Sequence, residues 1–442
     1  MPRKESDPTA TMNHPEQLLI ELFDAAVTAA SPEQIMNQAL AGISLADQQR
    51  DAVVIGAGKA AASMAKALEQ RWAGKLEGLV VTRYGHQLDC SNIVVEQASH
   101  PVPDQFGEAV SKRMLAMVAN LSADDLVICL ISGGGSALLA LPSPGLTLKD
   151  KQTINKALLL SGATIEEMNT VRKHLSAIKG GRLAAACYPA KIITLAISDV
   201  PGDDPTVIAS GPTVGDPTTS TQALAILRKY QIDTPVHVAQ WLQNEQSETL
   251  KPGDPRLCNS FFNMIATPHQ SLQAAKHYAE QAGLATLVLG DDIEGESREV
   301  AKVHAAIVRS ILKHQQPISP PCVILSGGET TVTIKGKGRG GRNAEFLLSL
   351  ACCLKGLPGV YAIAADTDGI DGSEDNAGAL LSPDSWQRAI EEGLDAAAML
   401  DNNDAYRYFE AINDLVITGP TLTNVNDFRA ILVLPGKNQR AP

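Results

Sequence analysis

The chain has 442 residues and a formal net charge of −12. That length exceeds what one ordinary core supports, so two domains are expected, and the charge offers no field to attract nucleic acid or an anionic membrane. Hydrophobic residues make up 44% and charged residues 19%, which marks a globular chain and excludes a disordered one.

Residues 1–12 are polar and carry Pro2 and Pro8, which reads as a loose tail without the apolar stretch of a signal peptide. Apolar residues at helical spacing over 15–30 predict the first helix. The run 51–55 is short, apolar and closed by glycines, the pattern of a buried parallel strand. Further strands are expected at 78–82, 126–131, 191–197, 262–266, 286–289, 322–325, 360–365, 415–417 and 430–434, with helical patterns between most of them. Such alternation predicts an α/β fold with a largely parallel, doubly wound sheet. The stretch Asn244–Pro255 is polar and holds Pro252, Gly253 and Pro255. It is the expected linker, giving domains over 14–250 and 256–442.

Seven cysteines occur without CxxC spacing, so neither a disulfide framework nor a zinc site is expected. No apolar run reaches bilayer length. A reducing, cytoplasmic setting is expected.

Polar, glycine-rich clusters follow six of the predicted strands. They are Gly56-Ala-Gly-Lys59, Ser132-Gly-Gly-Gly-Ser136, Ser198-Asp-Val-Pro-Gly-Asp-Asp204, Ser326-Gly-Gly-Glu-Thr330, Asp366-Thr-Asp-Gly-Ile-Asp-Gly372 and Thr418-Gly-Pro-Thr-Leu-Thr-Asn424. Ligands of open α/β sheets bind at the carboxyl ends of strands. Tight turns explain the glycines but not the recurrent Asp, Lys and Ser beside them. Gly133, Gly134 and Gly135 would let backbone amides approach a phosphate, with Ser132 and Ser136 as hydroxyl donors. Lys59, where a strand turns into a helix, calls for an anionic partner.

The segment Lys335-Gly-Lys-Gly-Arg-Gly-Gly-Arg-Asn343 is the densest basic run, and Arg339 and Arg342 could fork onto phosphate or carboxylate. Arg172 and Lys173 stand near even between helix capping and ligand contact. So do Lys179 and Arg182. Asp199, Asp203, Asp366, Asp368 and Asp371 are candidates for magnesium or for a base. Asp366-x-Asp368-Gly resembles the start of an EF-hand, but the twelfth position is Ala377, which disfavours calcium.

Gly56-x-Gly58-x-x-Ala61 nominally fits a dinucleotide fingerprint, so a nicotinamide-dependent reductase is the rival reading. The next strand ends at Arg83 without the acidic residue that the fingerprint wants. Neither a GxxxxGK[ST] loop nor a His-Arg-Asp kinase loop occurs. A hydrolase ranks third: Ser136 sits at a sharp turn, but GxSxG is absent.

Taken together in order, these segments resemble the glycerate 2-kinase family, whose members end in a MOFRL domain. The match includes Asn169-Thr-Val-Arg-Lys-His-Leu-Ser176, Ala209-Ser-Gly-Pro-Thr213 and Gly338-Arg-Gly-Gly-Arg-Asn343, and it spans nearly the whole chain. The resemblance implies a Rossmann-like N-terminal domain, a smaller C-terminal α/β domain, and a site in the cleft between them. It implies magnesium-dependent transfer of the ATP γ-phosphoryl group to the 2-hydroxyl of D-glycerate. NAD(P)-dependent hydroxypyruvate reduction is the alternative, because related sequences carry that label. The family's basic pair maps to Lys59 and Arg342. The expected site has Lys59, Arg342 and Asp199 as catalytic groups. Gly58, Ser132, Gly133, Gly134, Gly135, Ser136, Gly327 and Arg339 would hold ATP. Arg172, Lys173 and Asn343 would hold substrate, and Asp199, Asp366 and Asp368 would hold Mg2+. The expected partners are small molecules, and a homodimer is left open.

Overall fold

The computed structural model describes residues 14–435; the tail expected over residues 1–12 lies outside them. Helix α1 (Pro15–Ala29) opens the described chain. The chain then divides into two compact units. One holds residues 32–199 and 203–265. The other holds residues 14–31, 200–202 and 266–435.

The N-terminal unit carries six strands: β1 (Ala52–Ala57), β2 (Leu76–Arg83), β3 (Ile93–Ala98), β4 (Leu126–Ile131), β5 (Lys191–Ile197) and β6 (Ser260–Ala266). Their order is β3-β2-β1-β4-β5-β6, with β1 through β5 paired in parallel. All six residues of β4 are buried, as expected of a strand covered on both faces. Helices α2 (Ala61–Glu69), α3 (Gly135–Leu138) and α4 (Ile165–His174) follow β1 or β4. The strand order reverses at β1, so the loops after β1 and β4 flank the switch point where doubly wound sheets bind ligands.

The C-terminal unit has helix α5 (Pro268–Gln281), β7 (Ala285–Val288), β8 (Gly295–Glu296), α6 (Ser297–His314), β9 (Cys322–Gly328), β10 (Thr330–Thr331), α7 (Arg342–Leu354), β11 (Val360–Asp366), β12 (Gly378–Leu381), β13 (Leu415–Val416) and β14 (Asp427–Val433). Its six-stranded sheet has the order β13-β12-β11-β14-β9-β7, and β8 and β10 form a small ribbon. Here the expectation of a largely parallel sheet fails. β7 and β9 pair in parallel, while the pairs β9–β14, β14–β11, β11–β12 and β12–β13 are antiparallel. Two strands cause this: β14 enters between β9 and β11 in the opposite direction, and β12 turns back along the other side of β11. The reversal sets the start of β14 beside the carboxyl ends of both neighbours, with Asp427 opposite Gly328 and Asp366.

The observed division also departs from the expected one. β6 belongs to the first sheet, so the break follows Ile265 rather than falling in Asn244–Pro255. Helix α1 belongs to the C-terminal unit. Its stripe of Leu18, Leu19, Leu22, Phe23 and Ala26 packs with Leu272, Ala275 and Ala279 of α5 and Phe428, Ala430 and Leu432 of β14.

Candidate functional site

Each unit gathers polar groups at the ends of its central strands. In the N-terminal unit the loops after β1 and β4 are laced together. Ser132 N–H donates to Ala57 O at 3.1 Å, and Lys59 N–H donates to Gly133 O at 2.8 Å. Ser132 Oγ accepts from Ala60 N–H at 3.0 Å, so this buried hydroxyl ties down the start of α2. Accepting that bond uses a lone pair and leaves the hydroxyl proton of Ser132 to donate elsewhere. Gly58 has φ +145°, and a Cβ there would lie 2.0 Å from Ser132 Oγ. Its amide donates to Val81 O. In a dinucleotide fingerprint the second glycine gives the backbone access to pyrophosphate. Here that approach is filled by the neighbouring loop.

The Lys59 carbonyl accepts from Thr82 Oγ1 at 3.2 Å. Its stem passes Gly134, where an added Cβ would stand 3.3 Å from Lys59 Cγ. Gly134 has φ +79°, which turns the chain sharply after β4. Among the described residues, no acceptor takes the amides of Gly133, Gly134 or Ser136. A run of unpartnered amides beside a lysine is suited to an anion. Below it, the buried Lys179 ammonium donates to Ser136 O at 2.7 Å and Leu139 O at 2.5 Å. It fixes these carbonyls, and burial pushes its pKa well down.

Three other basic residues expected near the site, Lys173, Arg182 and Arg172, are internal braces. Lys173 is 3% exposed and bonds Asp216 Oδ1 at 2.8 Å, so it is not open to substrate as expected. Arg182 donates to the carbonyls of Ser247 and Glu248, each at 2.8 Å. Arg172 donates to Asn155 and Asn169. Asp199 stands half-buried, two residues beyond β5.

In the C-terminal unit Arg342, the first residue of α7, forks onto three carboxylates. Nε reaches Asp427 Oδ1 at 2.7 Å, Nη1 reaches Glu329 Oε1 at 2.9 Å, and Nη2 reaches Asp366 Oδ2 at 2.8 Å. Asp427 and Asp366, with Glu329, hold its pKa well above the usual arginine value against the cost of burial. The side chain still keeps 22% of its surface exposed. Asp427 is fully buried and also accepts from Arg429 at 2.5 Å and from Asn343 Nδ2 at 2.8 Å. Asn343 is thus enclosed within the unit and not available to substrate as expected.

Gly327 donates its amide to Gly290 O at 2.8 Å, so that donor is already used. Arg339 is exposed, bonded to Glu374 and stacked over Tyr406 at 4.5 Å. Asp366 Oδ1 accepts from Asp368 N–H at 3.0 Å, and Asp368 Oδ1 accepts from Ile370 N–H at 2.8 Å. Asp368 is 1% exposed and shapes the turn after β11. No group of three or more metal-capable His, Cys, Asp or Glu side chains occurs among the described residues. Magnesium commonly takes only one or two carboxylates plus substrate phosphates, and the hard oxygens of Asp199 and Asp366 suit that chemistry.

Asp371 has a different task. Gly341, the residue before α7, has no side chain to cap the helix. Asp371 supplies the cap from another loop, taking the amides of Asn343 at 3.0 Å and Ala344 at 2.8 Å. Burial raises its pKa from 3.8 to about 6. A raised carboxyl pKa means the folded state holds the proton more tightly than the unfolded state. The contribution of Asp371 to stability therefore falls as pH rises from 3.8 through about 6, and stays low above that. In urea titrations, the stability advantage of the native chain over Asp371→Asn is expected to be larger at about pH 4.5 than at about pH 7. An advantage that grows with pH would refute this.

Asp427, Arg429 and Glu329 were not among the expected site residues. The available signal was Asp427-x-Arg429, two charges at strand spacing leading into an apolar run.

Two family models match the chain: the domain of unknown function DUF4147 over residues 18–243 and the MOFRL family over residues 322–427. A protein of Agrobacterium vitis, named provisionally as a hydroxypyruvate reductase, is 53% identical over 422 residues, covering 94% of each chain. The D-glycerate 2-kinase of Thermotoga maritima is 38% identical over 414 residues, covering 93% of this chain and 97% of that one. The crystal structure of a glycerate kinase from Thermotoga maritima superposes with a TM-score of 0.85 at 38% identity, over 96% of this chain and 100% of that one.

Proposed function

This chain belongs to the glycerate kinase family that joins a DUF4147 domain to a MOFRL domain, and from that membership we propose that it transfers the γ-phosphoryl group of ATP to the 2-hydroxyl of D-glycerate. The observation that carries the reading is the loop at 133–136, whose unpartnered amides stand beside Lys59 at the switch point of the first sheet. Phosphoryl transfer asks the protein for positioning and charge neutralisation more than for covalent chemistry. Gly133, Gly134 and Ser136 offer amides to phosphate oxygens. Lys59 and Arg342 supply positive charge for the transferring group. Asp199 accepts the proton of the attacking hydroxyl.

Magnesium, when bound, neutralises phosphate charge. Asp199 and Asp366 are the carboxylates that would hold it. Asp199 thus has two candidate duties, and Asp366 shares its charge with Arg342.

Reductase activity is the second reading, because the relative from Agrobacterium vitis carries that name. The filled space at Gly58 argues against a pyrophosphate there. The deciding experiment incubates the protein with D-glycerate, ATP and magnesium and follows the products by phosphorus NMR, with and without chelator. Chelator-sensitive formation of 2-phosphoglycerate is the expected result. No phosphorylated product, with NADPH oxidised on hydroxypyruvate, would overturn the reading.

A further inference from the structure

Four side chains of the N-terminal unit form a hydrogen-bonded chain whose direction is fixed at one end. Arg172 donates from Nη1 to Asn169 Oδ1 at 3.4 Å and from Nε to Asn155 Oδ1 at 2.6 Å. A guanidinium has no acceptor, so it is the amide oxygen of Asn169 that faces Arg172. Burial lowers the Arg172 pKa only to about 10, which leaves it a pure donor at neutral pH. The same Oδ1 accepts from Ser210 Oγ at 3.2 Å. Ser210 has one hydroxyl proton, and that bond uses it. The 2.7 Å contact between Ser136 Oγ and Ser210 Oγ must then take its proton from Ser136. Only lone pairs of Ser136 Oγ remain to face a ligand.

The network is built to keep that direction. Asn169 is 3% exposed and Ser210 is fully buried, so water does not compete for their hydrogen bonds. Ser210 has φ +62°, between Ala209 at +50° and Gly211 at +58°. Left-handed backbone in non-glycine residues costs energy and persists where the surroundings over-determine it, often at functional sites.

We infer that Ser136 Oγ is a hydrogen-bond acceptor that recognises a hydroxyl of the substrate, held in that state by the positioning residues Ser210, Asn169 and Arg172. A phosphate oxygen at this point would set lone pair against lone pair. The neighbouring amides remain the partners for anions. A serine oxygen is too weak a base to keep a proton, so it suits a hydroxyl that retains its own. The hydroxyl read by Ser136 is therefore the one that is not phosphorylated, and in this the inference rests on the glycerate kinase reading. Ser136, expected among the ATP-binding residues by its hydroxyl, keeps only its amide for that role. Arg172, expected to clamp substrate, acts through Asn169.

The test compares D-glycerate with D-lactate, which lacks the 3-hydroxyl, as acceptors for the native chain, Ser136→Ala and Ser210→Gly. Glycine relieves the left-handed strain at 210 while removing the hydroxyl. The native chain is expected to favour glycerate by about 100-fold or more in kcat/KM, since a site built to bond a hydroxyl rejects an analogue without it. Ser136→Ala should lose most of that preference by falling on glycerate, with lactate changed less than about 3-fold and KM for ATP unchanged. Ser210→Gly should move the same way by a smaller factor. Equal losses on both acids, or a raised KM for ATP in Ser136→Ala, would overturn the inference. If the native chain phosphorylates neither acid, the kinase reading falls, and calorimetric binding of the two acids decides the inference separately. Preference for glycerate that disappears in Ser136→Ala supports it, and equal or absent binding refutes it.

Discussion

Replacing Arg342 with methionine is expected to cut turnover by about 100-fold or more, the usual cost of removing one preorganised electrostatic group, and also to weaken the C-terminal unit. The second effect follows from the fork. Arg342 faces Asp427, Asp366 and Glu329. Asp427 is enclosed and keeps Arg429, but Asp366, only 5% exposed, loses the cation at its Oδ2. Taking one cation away from a buried carboxylate is destabilising, and the loss should show as a drop in the denaturation midpoint. Arg342→Lys separates the two roles. A lysine restores one positive charge but cannot reach three carboxylates in a planar fork. It should therefore recover part of the stability and little of the turnover. If folded Arg342→Met protein turns over at the native rate, Arg342 is a structural counter-charge and its catalytic assignment is wrong.

Lys59→Met should give a cleaner result. Turnover is expected to fall by about 100-fold or more with the fold intact. The main chain at this position is held by the bond from Lys59 N–H to Gly133 O and by the one from Thr82 to Lys59 O, neither of which uses the side chain. Methionine keeps an unbranched stem in the space beside Gly134. Circular dichroism and thermal melting would check the fold, and single-turnover ADP release would check the chemical step. Native turnover in the folded variant would remove Lys59 from the mechanism and leave the 133–136 amides without their lysine.

The first sheet was legible because its strands announce themselves. Residues 126–131 and 191–197 are apolar throughout or nearly so, and the structure has strands over just those spans. The glycine loops were legible because a steric demand wrote them, as at Gly58, where no side chain fits. The direction of the second sheet was not. A buried strand has the same apolar run whether its neighbour is parallel or antiparallel, and nothing in residues 427–433 states that they will enter between two earlier strands. Nor could spacing tell buried from exposed charge. Lys173 and Asn343 stand in the same motifs as Arg172 and Arg342, yet each is enclosed by partners far along the chain, Asp216 in one case and Asp371 with Asp427 in the other. The hydroxyl direction at Ser136 needs four residues spread from 136 to 210, a relation that only the folded chain displays.

The place of α1 bears on how the protein is made. The helix is finished by residue 29, but the strand that it covers, β14, ends at residue 433. At ribosomal rates of about 5–20 residues per second, some 400 residues separate them by roughly 20–80 seconds. Through that interval Leu18, Leu22 and Phe23 have no finished surface to cover, and β9 and β11 lack the strand that joins them. The N-terminal unit, complete by residue 265, can fold first with a sticky amphipathic segment attached to its leading end. A nascent chain stalled before β14 should therefore recruit a holding chaperone through α1, and release it only when the final strand emerges.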